Sequence, residues 1–495
     1  MSISTAESSK AAPPSTTAVV AVLAFAGIVV SLMQTLVIPI IPHLPEYLNA
    51  SASDTAWVVT ATLLASAVAV PTMGRLGDMF GKRRLLLISL VLLVVGSIVG
   101  AMSSSLVPLV IGRVLQGLAA GVIPLGISIM RDVLPPKKLA GAVAIMSAAM
   151  GVGGALGLPI AAMIAEYANW HVLFWASAVL GGVVTGLILV IVPESTVRTG
   201  GKFDFVGAST LSIALITLLL AISKGNAWGW TSATTLSMLA IAVIAFAVFA
   251  WWELRTPKPL VNLRVSARRQ VLLTNVASIV FGFAMFASSM VFPQVVQLPE
   301  ATGFGLGGSM LTAGLVMAPS GIVMMLIAPL SSKITNTYGP KITLMTGAVV
   351  VALGYAVGIF ALHSIWQLIM VAVIIGAGTG MAYGAMPALI MGAVPASETG
   401  AANSLNTLMR ALGTSFASAI AGVVLAQMTM SLGDATLPTE NAFRVIMALA
   451  AGSALMALVL AAFLPKFRGA ISVTDKDAKD AKDAADQAPV PAAAR

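Results

Sequence analysis

Fourteen apolar stretches alternate with short polar segments along the chain, at roughly 18–41, 55–73, 85–104, 107–130, 139–164, 172–192, 205–222, 233–252, 270–293, 307–330, 341–361, 366–391, 400–428 and 442–464. Crossing the hydrocarbon core of a bilayer as a helix takes about 20 predominantly apolar residues, and each stretch reaches about that length. The pattern predicts an all-helical integral membrane protein with fourteen spans. The polar segments between them are unequal in charge. With the N-terminus placed inside, the inner loops hold Arg75, Lys82, Arg83 and Arg84, then Arg131, Lys137 and Lys138. They also hold Arg198, Lys202, a basic run from Arg255 to Arg269, Lys333 and Lys341, whereas the outer segments hold only Lys224 and Arg444. That asymmetry is the positive-inside rule, and it predicts that both termini are cytoplasmic. Trp228 and Trp230 at one boundary, and Trp251 and Trp252 at the other, fall where aromatic belts form.

Composition narrows the class further. The 495 residues are 58% hydrophobic and 9% charged, against about 25% charged in soluble domains, too few to cover a water-facing surface. The net charge of +9 is already explained by loop placement, so it implies no nucleic-acid partner. The absence of cysteine excludes disulfides, thiolate metal sites and cysteine nucleophiles. No nucleophile–base pair, metal-ligand cluster or phosphate-binding Gly-x-x-x-x-Gly-Lys-Ser/Thr loop stands in the chain, which reads as a non-enzyme with no cofactor and no direct use of ATP. Residues 1–16 lack a cleavable signal and read, with the charged low-complexity segment 466–495, as disordered tails.

An internal repeat organises the spans. Pro329 to Gly339 echoes Pro71 to Gly81, and Val394-Pro395-Ala396 echoes Leu134-Pro135-Pro136 at nearly the same offset. Spans 1–6 therefore map onto spans 9–14, with spans 7 and 8 inserted between them. The expected organisation is an N-terminal six-helix bundle at 17–195, a two-helix insertion with its loop at 196–269, and a C-terminal six-helix bundle at 270–465. Two related bundles around a central path are a transporter plan.

Several motifs sit on this frame. Gly74, Leu76, Asp78, Gly81, Lys82, Arg83 and Arg84 form a charged segment between spans two and three. Its glycines read as a tight reversal, and its acid as a group favoured near a helix N-terminus. Span four carries Arg113, Gln116 and Gly117 on one helical stripe, and an intramembrane arginine costs about 2.5–3.5 kcal/mol on the gentlest scale, so it should face protein or water. Span five carries Gly151, Gly153, Gly154, Gly157 and Pro159, which permit close helix approach and a bend. These segments resemble the major facilitator superfamily, specifically its fourteen-span drug:proton antiporters.

The resemblance implies two pseudo-symmetric six-helix bundles, a cytoplasmic gate at Gly74–Arg84, proton coupling near Arg113 and Gln116, and an export-type motif at Gly153, Gly157 and Pro159. It implies efflux of small hydrophobic or cationic compounds, exchanged for protons, by a monomer in a bacterial plasma membrane. Span one departs from the family pattern, with Met33 and Ile38 where an acid and an asparagine are usual. Glu46, Asp54, Asp132, Glu166 and Glu300 are then the candidate proton carriers, all near a boundary, with Asp132 and Glu166 favoured because they end the Arg113 helix and the export-motif helix. Gln34 and Thr35, with Tyr383, Asn406 and Arg410 on the polar stripes of spans twelve and thirteen, are the expected path-lining residues. Export of one native metabolite or lipid, possibly independent of protons, stays open as an alternative, and a non-transporting membrane sensor as a remote one.

Overall fold

The computed structural model describes residues 15–195, 197–198, 200–432 and 435–465; both expected tails, except residues 15 and 16, lie outside them. Among the described residues there are fourteen helices long and apolar enough to span a membrane, labelled here in chain order. In the first part of the chain these are α1 (Thr16–Thr35), α2 (Trp57–Phe80), α3 (Lys82–Ala101), α4 (Leu106–Val133), α5 (Pro136–Tyr167) and α6 (His171–Ile191). The inserted pair is α7 (Phe205–Trp228) and α8 (Ala233–Arg255). The remainder are α9 (Arg269–Gln297), α10 (Met310–Tyr338), α11 (Pro340–Gly358), α12 (Ile365–Met391), α13 (Thr399–Gln427) and α14 (Glu440–Ala462).

Local chemistry sets the ends of these helices. Ser15, Ser232, Ser309, Ser364 and Thr439 each cap a helix by accepting a hydrogen bond from a first-turn backbone N–H, as Asp204 does for α7. Pro39 and Pro42 follow α1 closely, and the chain tightens there into a 3₁₀ segment, Ile38–His43. Gly81 between α2 and α3 has φ 115°, and Gly339 between α10 and α11 has φ 88°; these repeat-related positions need a residue without a β-carbon. Here the expectation of a glycine-hinged turn is corrected. Gly74 and Gly77 are helical and α2 runs through the motif to Phe80, so Gly81 alone makes the reversal. Gly74 instead packs against Gly400 and Ser404 of α13, where a β-carbon would collide with the backbone.

Three apolar clusters hold the helices together. One draws on α1 to α6 with Met391, and a second on α9 to α14 with Ala144 and Ala148 from α5. The third joins the inserted pair, through Leu211, Leu215, Leu219 and Phe249, to Ala67 and Val70 of α2 and Leu408 and Leu412 of α13. The insertion thus covers the α2–α13 seam between the halves, while α5 and α10 form the seam on the other side. A short hairpin, Thr429–Leu432 paired with Ala435–Pro438, stands before α14 in a segment the hydropathy pattern leaves as loop. The two ends of the bundle differ. One carries Lys82, Arg131 and Lys341 and is called the charged face below; the other carries the starts of α2, α6 and α14.

Candidate functional site

At the charged face the halves are tied by a lock whose side chains come mainly from one of them. Asp78, fully buried, accepts hydrogen bonds from Gly400 N (3.1 Å) and Ala401 N (2.9 Å) at the start of α13. The first N–H groups of a helix lack partners within it, and the dipole there favours an anion. Arg131 adds a second tie, donating to Thr399 Oγ1 (2.6 Å), Val394 O (3.0 Å) and Pro395 O (3.4 Å). Behind the lock, Lys82 is entirely buried and bridges Asp132 (2.6 Å) and Asp78 (3.7 Å), while Ser195 donates to the same Asp132 oxygen. Arg83 donates to Leu189 O at the end of α6 (2.6 Å), and Arg84 is exposed.

Between the halves, a cavity of about 420 Å³ lies among α1, α5, α9, α10 and α12. It reaches from Ser320 and Thr379, midway along their helices, to Gln297 and Met310 at the ends away from the charged face. Five methionines, Met150, Met285, Met310, Met317 and Met324, form much of its wall, with hydroxyls of Thr35, Ser288, Ser289, Ser320 and Thr379 among them. Among the described residues that line it, none is charged. Unbranched thioether side chains adapt to varied apolar shapes. The glycines of α5 make the cavity's wall thin. Gly153 and Gly157 lie against the backbone of α1, and Gly314 and Gly321 of α10 approach the backbone of α5 at Pro159 and Gly151.

Arg113 in the N-terminal half and Arg410 in the C-terminal half are each buried in a polar knot. Arg113 donates to Gln116 Oε1 (2.7 Å), Val58 O (3.2 Å) and Met33 O (3.3 Å), and Gln116 donates on to Ser97 Oγ (2.8 Å). Residue 33, whose side chain cannot ionise, therefore contributes its main-chain carbonyl, one of the last in α1, where carbonyls lack helical partners. Arg410 donates to Asn406 Oδ1 (3.1 Å) and Thr407 Oγ1 (3.2 Å) and lies 4.7 Å over the Tyr383 ring. Asn406 in turn donates to Asn275 Oδ1 and Ser278 Oγ on α9.

The expected site residues thus fall into separate groups. Gly74, Asp78, Gly81 and Lys82 meet at the lock, and Arg113 and Gln116 meet in their own knot. Asp132, a candidate proton carrier at the end of the Arg113 helix, pairs with Lys82, and the length of α4 separates it from the arginine. Glu166 stands exposed in the last turn of α5, away from Arg113, with no hydrogen bond or ion pair among the described residues. Of the expected path residues, Thr35 lines the cavity; Gln34 is exposed, and Tyr383, Asn406 and Arg410 are buried within the C-terminal half. Sequence reasoning missed Arg131, Asp204 and Glu253. Asp204 and Glu253 are acids at the basic end of the inserted helices, and that exception to the charge pattern is the signal that would have found them.

Comparison with known proteins agrees with this architecture. The family model described as Major Facilitator Superfamily matches residues 23–418 and 275–494. The chain is similar to the tetracenomycin C resistance and export protein of Streptomyces glaucescens, 28% identical over 80% of this chain and 73% of that one. It is also similar to the multidrug resistance protein Stp of Mycobacterium tuberculosis, 26% identical over 75% of this chain and 68% of that one. The solved structure of the human organic anion transporter MFSD10 superposes with a TM-score of 0.65 over 90% of this chain and all of that one, at 17% identity. That of the proton:xylose symporter XylE does so with a TM-score of 0.61 over 92% and 97%, at 15% identity. With fourteen spans, two bundles of six related by a repeat, and a family match along most of its length, the chain belongs to the Major Facilitator Superfamily of membrane transporters.

Proposed function

We propose that the protein exports uncharged hydrophobic or amphipathic compounds from the bacterial cytoplasm in exchange for protons, with its charged face cytoplasmic. The observation that carries this reading is the charge-free, methionine-walled cavity between the halves, which extends away from a locked charged face. In an alternating-access cycle this arrangement corresponds to the stage that delivers cargo outward, and the lock must open for loading. A cation entering the cavity would meet no carboxylate, so neutral cargo is favoured over cationic cargo. Similarity to a multidrug resistance protein and to an antibiotic export protein supports the direction of transport.

The test is efflux from everted membrane vesicles with an imposed proton gradient, comparing neutral and cationic dyes of similar size. Gradient-dependent uptake of the neutral dye is expected, and uptake of the cationic dye alone would sink the assignment of cargo. The second reading, export independent of protons, is favoured by Met33 and by the absence of an acid from the cavity wall. Uptake that survives full collapse of the gradient would establish it.

A further inference from the structure

Asp204 caps the start of α7, and Glu253 lies in the last turn of α8. Both are buried, with Glu253 3% and Asp204 9% exposed. Asp204 Oδ1 is satisfied by Gly207 N (2.8 Å) and Trp252 Nε1 (2.9 Å), but Asp204 Oδ2 and both Glu253 oxygens complete no hydrogen bond. The amides of Leu260 and Val261 face the Glu253 carboxylate without closing one of good geometry. Asp204 Oδ2 and Glu253 Oε1 each stand 2.5 Å from the place a β-carbon on Gly207 would take, so they are at most twice that distance apart. Two buried carboxylates this close and short of donors repel each other, and one proton held between them would supply the missing donor. A metal ion is the poorer occupant, because hard cations demand six or more oxygen ligands and amide N–H groups face this pair.

The surroundings link the pair to water and to the lock. Asp204 lines an open cleft of about 620 Å³ with Lys202 and Lys258, so protons reach it from the charged face. From α2, Arg75 lies within electrostatic reach of both Glu253 and Asp78. Arg75 also lines a cavity of about 190 Å³ with Lys258, Leu260, Glu398 and Ala401, the last of which donates to Asp78. The titratable and charged neighbours are therefore Arg75 from α2, Lys202 and Lys258 from the loops, and Glu398 before α13.

We propose that Asp204 and Glu253 form a proton-binding site that holds one proton between them and, through Arg75, sets the strength of the Asp78 lock. With the proton bound, the pair carries a single negative charge and Arg75 serves Asp78. When the proton leaves to the charged face, the second charge draws Arg75 toward the pair and the lock loosens. The site's part in export rests on the proton-exchange reading above, as the last station of the inward-moving proton; proton binding itself does not.

The experiment has two arms on the full chain, reconstituted in lipid. Infrared difference spectra between acidic and alkaline pH should contain a protonated-carboxyl band that is lost in both Asp204→Asn and Glu253→Gln. These substitutions keep side-chain size, and residue 204 keeps the oxygen that caps α7. In the second arm, spin labels go on Lys137→Cys and Asn336→Cys, exposed positions in the two halves of a chain with no native cysteine. The distance between them should lengthen from acidic to alkaline pH in the parent, and stay short at all pH in Glu253→Gln, the mimic of the protonated pair. A band that persists in both variants, no band at all, or an unchanged pH response in Glu253→Gln overturns the proposal. If both arms come out as expected while the parent exports cargo without moving protons, the site stands and the exchange reading fails instead.

Discussion

The two charged-face reversals descend from one repeat and do different work. In the N-terminal half, Asp78 and Lys82 are both buried, and Asp78 reaches across to the other half. In the C-terminal half, Asn336 and Lys333 occupy the positions of Asp78 and Arg75 and are exposed, while a Thr335–Thr343 hydroxyl contact of 2.8 Å fills the interior. One function is retained by both. Arg83 donates to the carbonyl end of α6, and Lys341 donates to Ala462 O and Leu464 O at the end of α14, each securing the sixth helix of its own half. Basic groups at a helix C-terminus satisfy its free carbonyls and oppose its dipole. The repeat therefore preserved the intra-half anchor and kept the inter-half tie on one side only. The Asp78 tie, made of a side chain from one half and backbone from the other, can be changed at one partner without altering its mate.

That asymmetry can be broken at several points. The largest expected effect is Lys82→Met, which leaves Asp78 and Asp132 buried without their cation; removing one partner of a buried pair costs about 3–5 kcal/mol. Lys341→Met, which removes contacts to two carbonyls from a partly exposed site, should cost less than about 1.5 kcal/mol. Thermal unfolding in detergent compares the two, and equal losses would mean the halves use their basic residues alike. Next comes Asp78→Asn, which keeps shape but weakens two charge-assisted bonds to α13 by about 2 kcal/mol, roughly thirtyfold in the lock equilibrium. Accelerated labelling of cysteines placed behind the lock reads this, and an unchanged rate would remove Asp78 from the gate.

Arg113→Ala and Arg410→Ala extend the comparison to the interior. Arg113 joins α1, α2 and α4 through carbonyls, so its loss should abolish gradient-driven efflux while folded protein persists. Arg410 bonds only within α13 and stacks on Tyr383, so its loss should slow efflux by about tenfold or less. Equal phenotypes would show that the two knots are functionally equivalent. The smallest expected effect is Asn336→Asp, an exposed change that restores the repeat's acid but should shift stability by no more than about 0.5 kcal/mol. A gain of locking there would contradict the one-sided arrangement.

Much of this was legible in the sequence because a bilayer penalises unpaired backbone and charge alike, leaving all fourteen spans written in hydropathy. The motif at Gly74–Arg84 was legible as a site but not as a shape. Its glycines suggested a turn, and two of them are helical, Gly74 where α13 approaches and Gly77 where Leu125 of α4 packs. Asp132, a candidate proton carrier at the end of the Arg113 helix, pairs with Lys82 and not with Arg113 for a simpler reason. It shares a helix with Arg113 but lies nineteen residues along it, about 28 Å at the rise of an α-helix, so spacing alone could have separated them. Tyr383 on the polar pair of span twelve, and Asn406 and Arg410 on the stripe of span thirteen, are buried within the C-terminal half, since a polar stripe inside a bundle can face a neighbouring helix as readily as a path. Asp204 and Glu253 needed the hairpin of α7 and α8 to bring them together across 49 positions of chain.

The glycine-rich surface of α5 has a consequence for speed. On its α1 side, Ser31 donates to Met150 O, while on its α10 side no hydrogen bond crosses among the described residues and contact rests on shape, Pro159 against Gly314 and Gly151 against Gly321. Such a seam separates without leaving orphaned donors in lipid, so the work of parting it is dispersion alone. In the proposed cycle, each methyl group this surface lacks lowers the resistance to parting and closing the seam. One methyl added at Gly321, which also lines the cavity, would meet Ala155 and the Gly151 carbonyl, prop the seam ajar and act as a brake on closure.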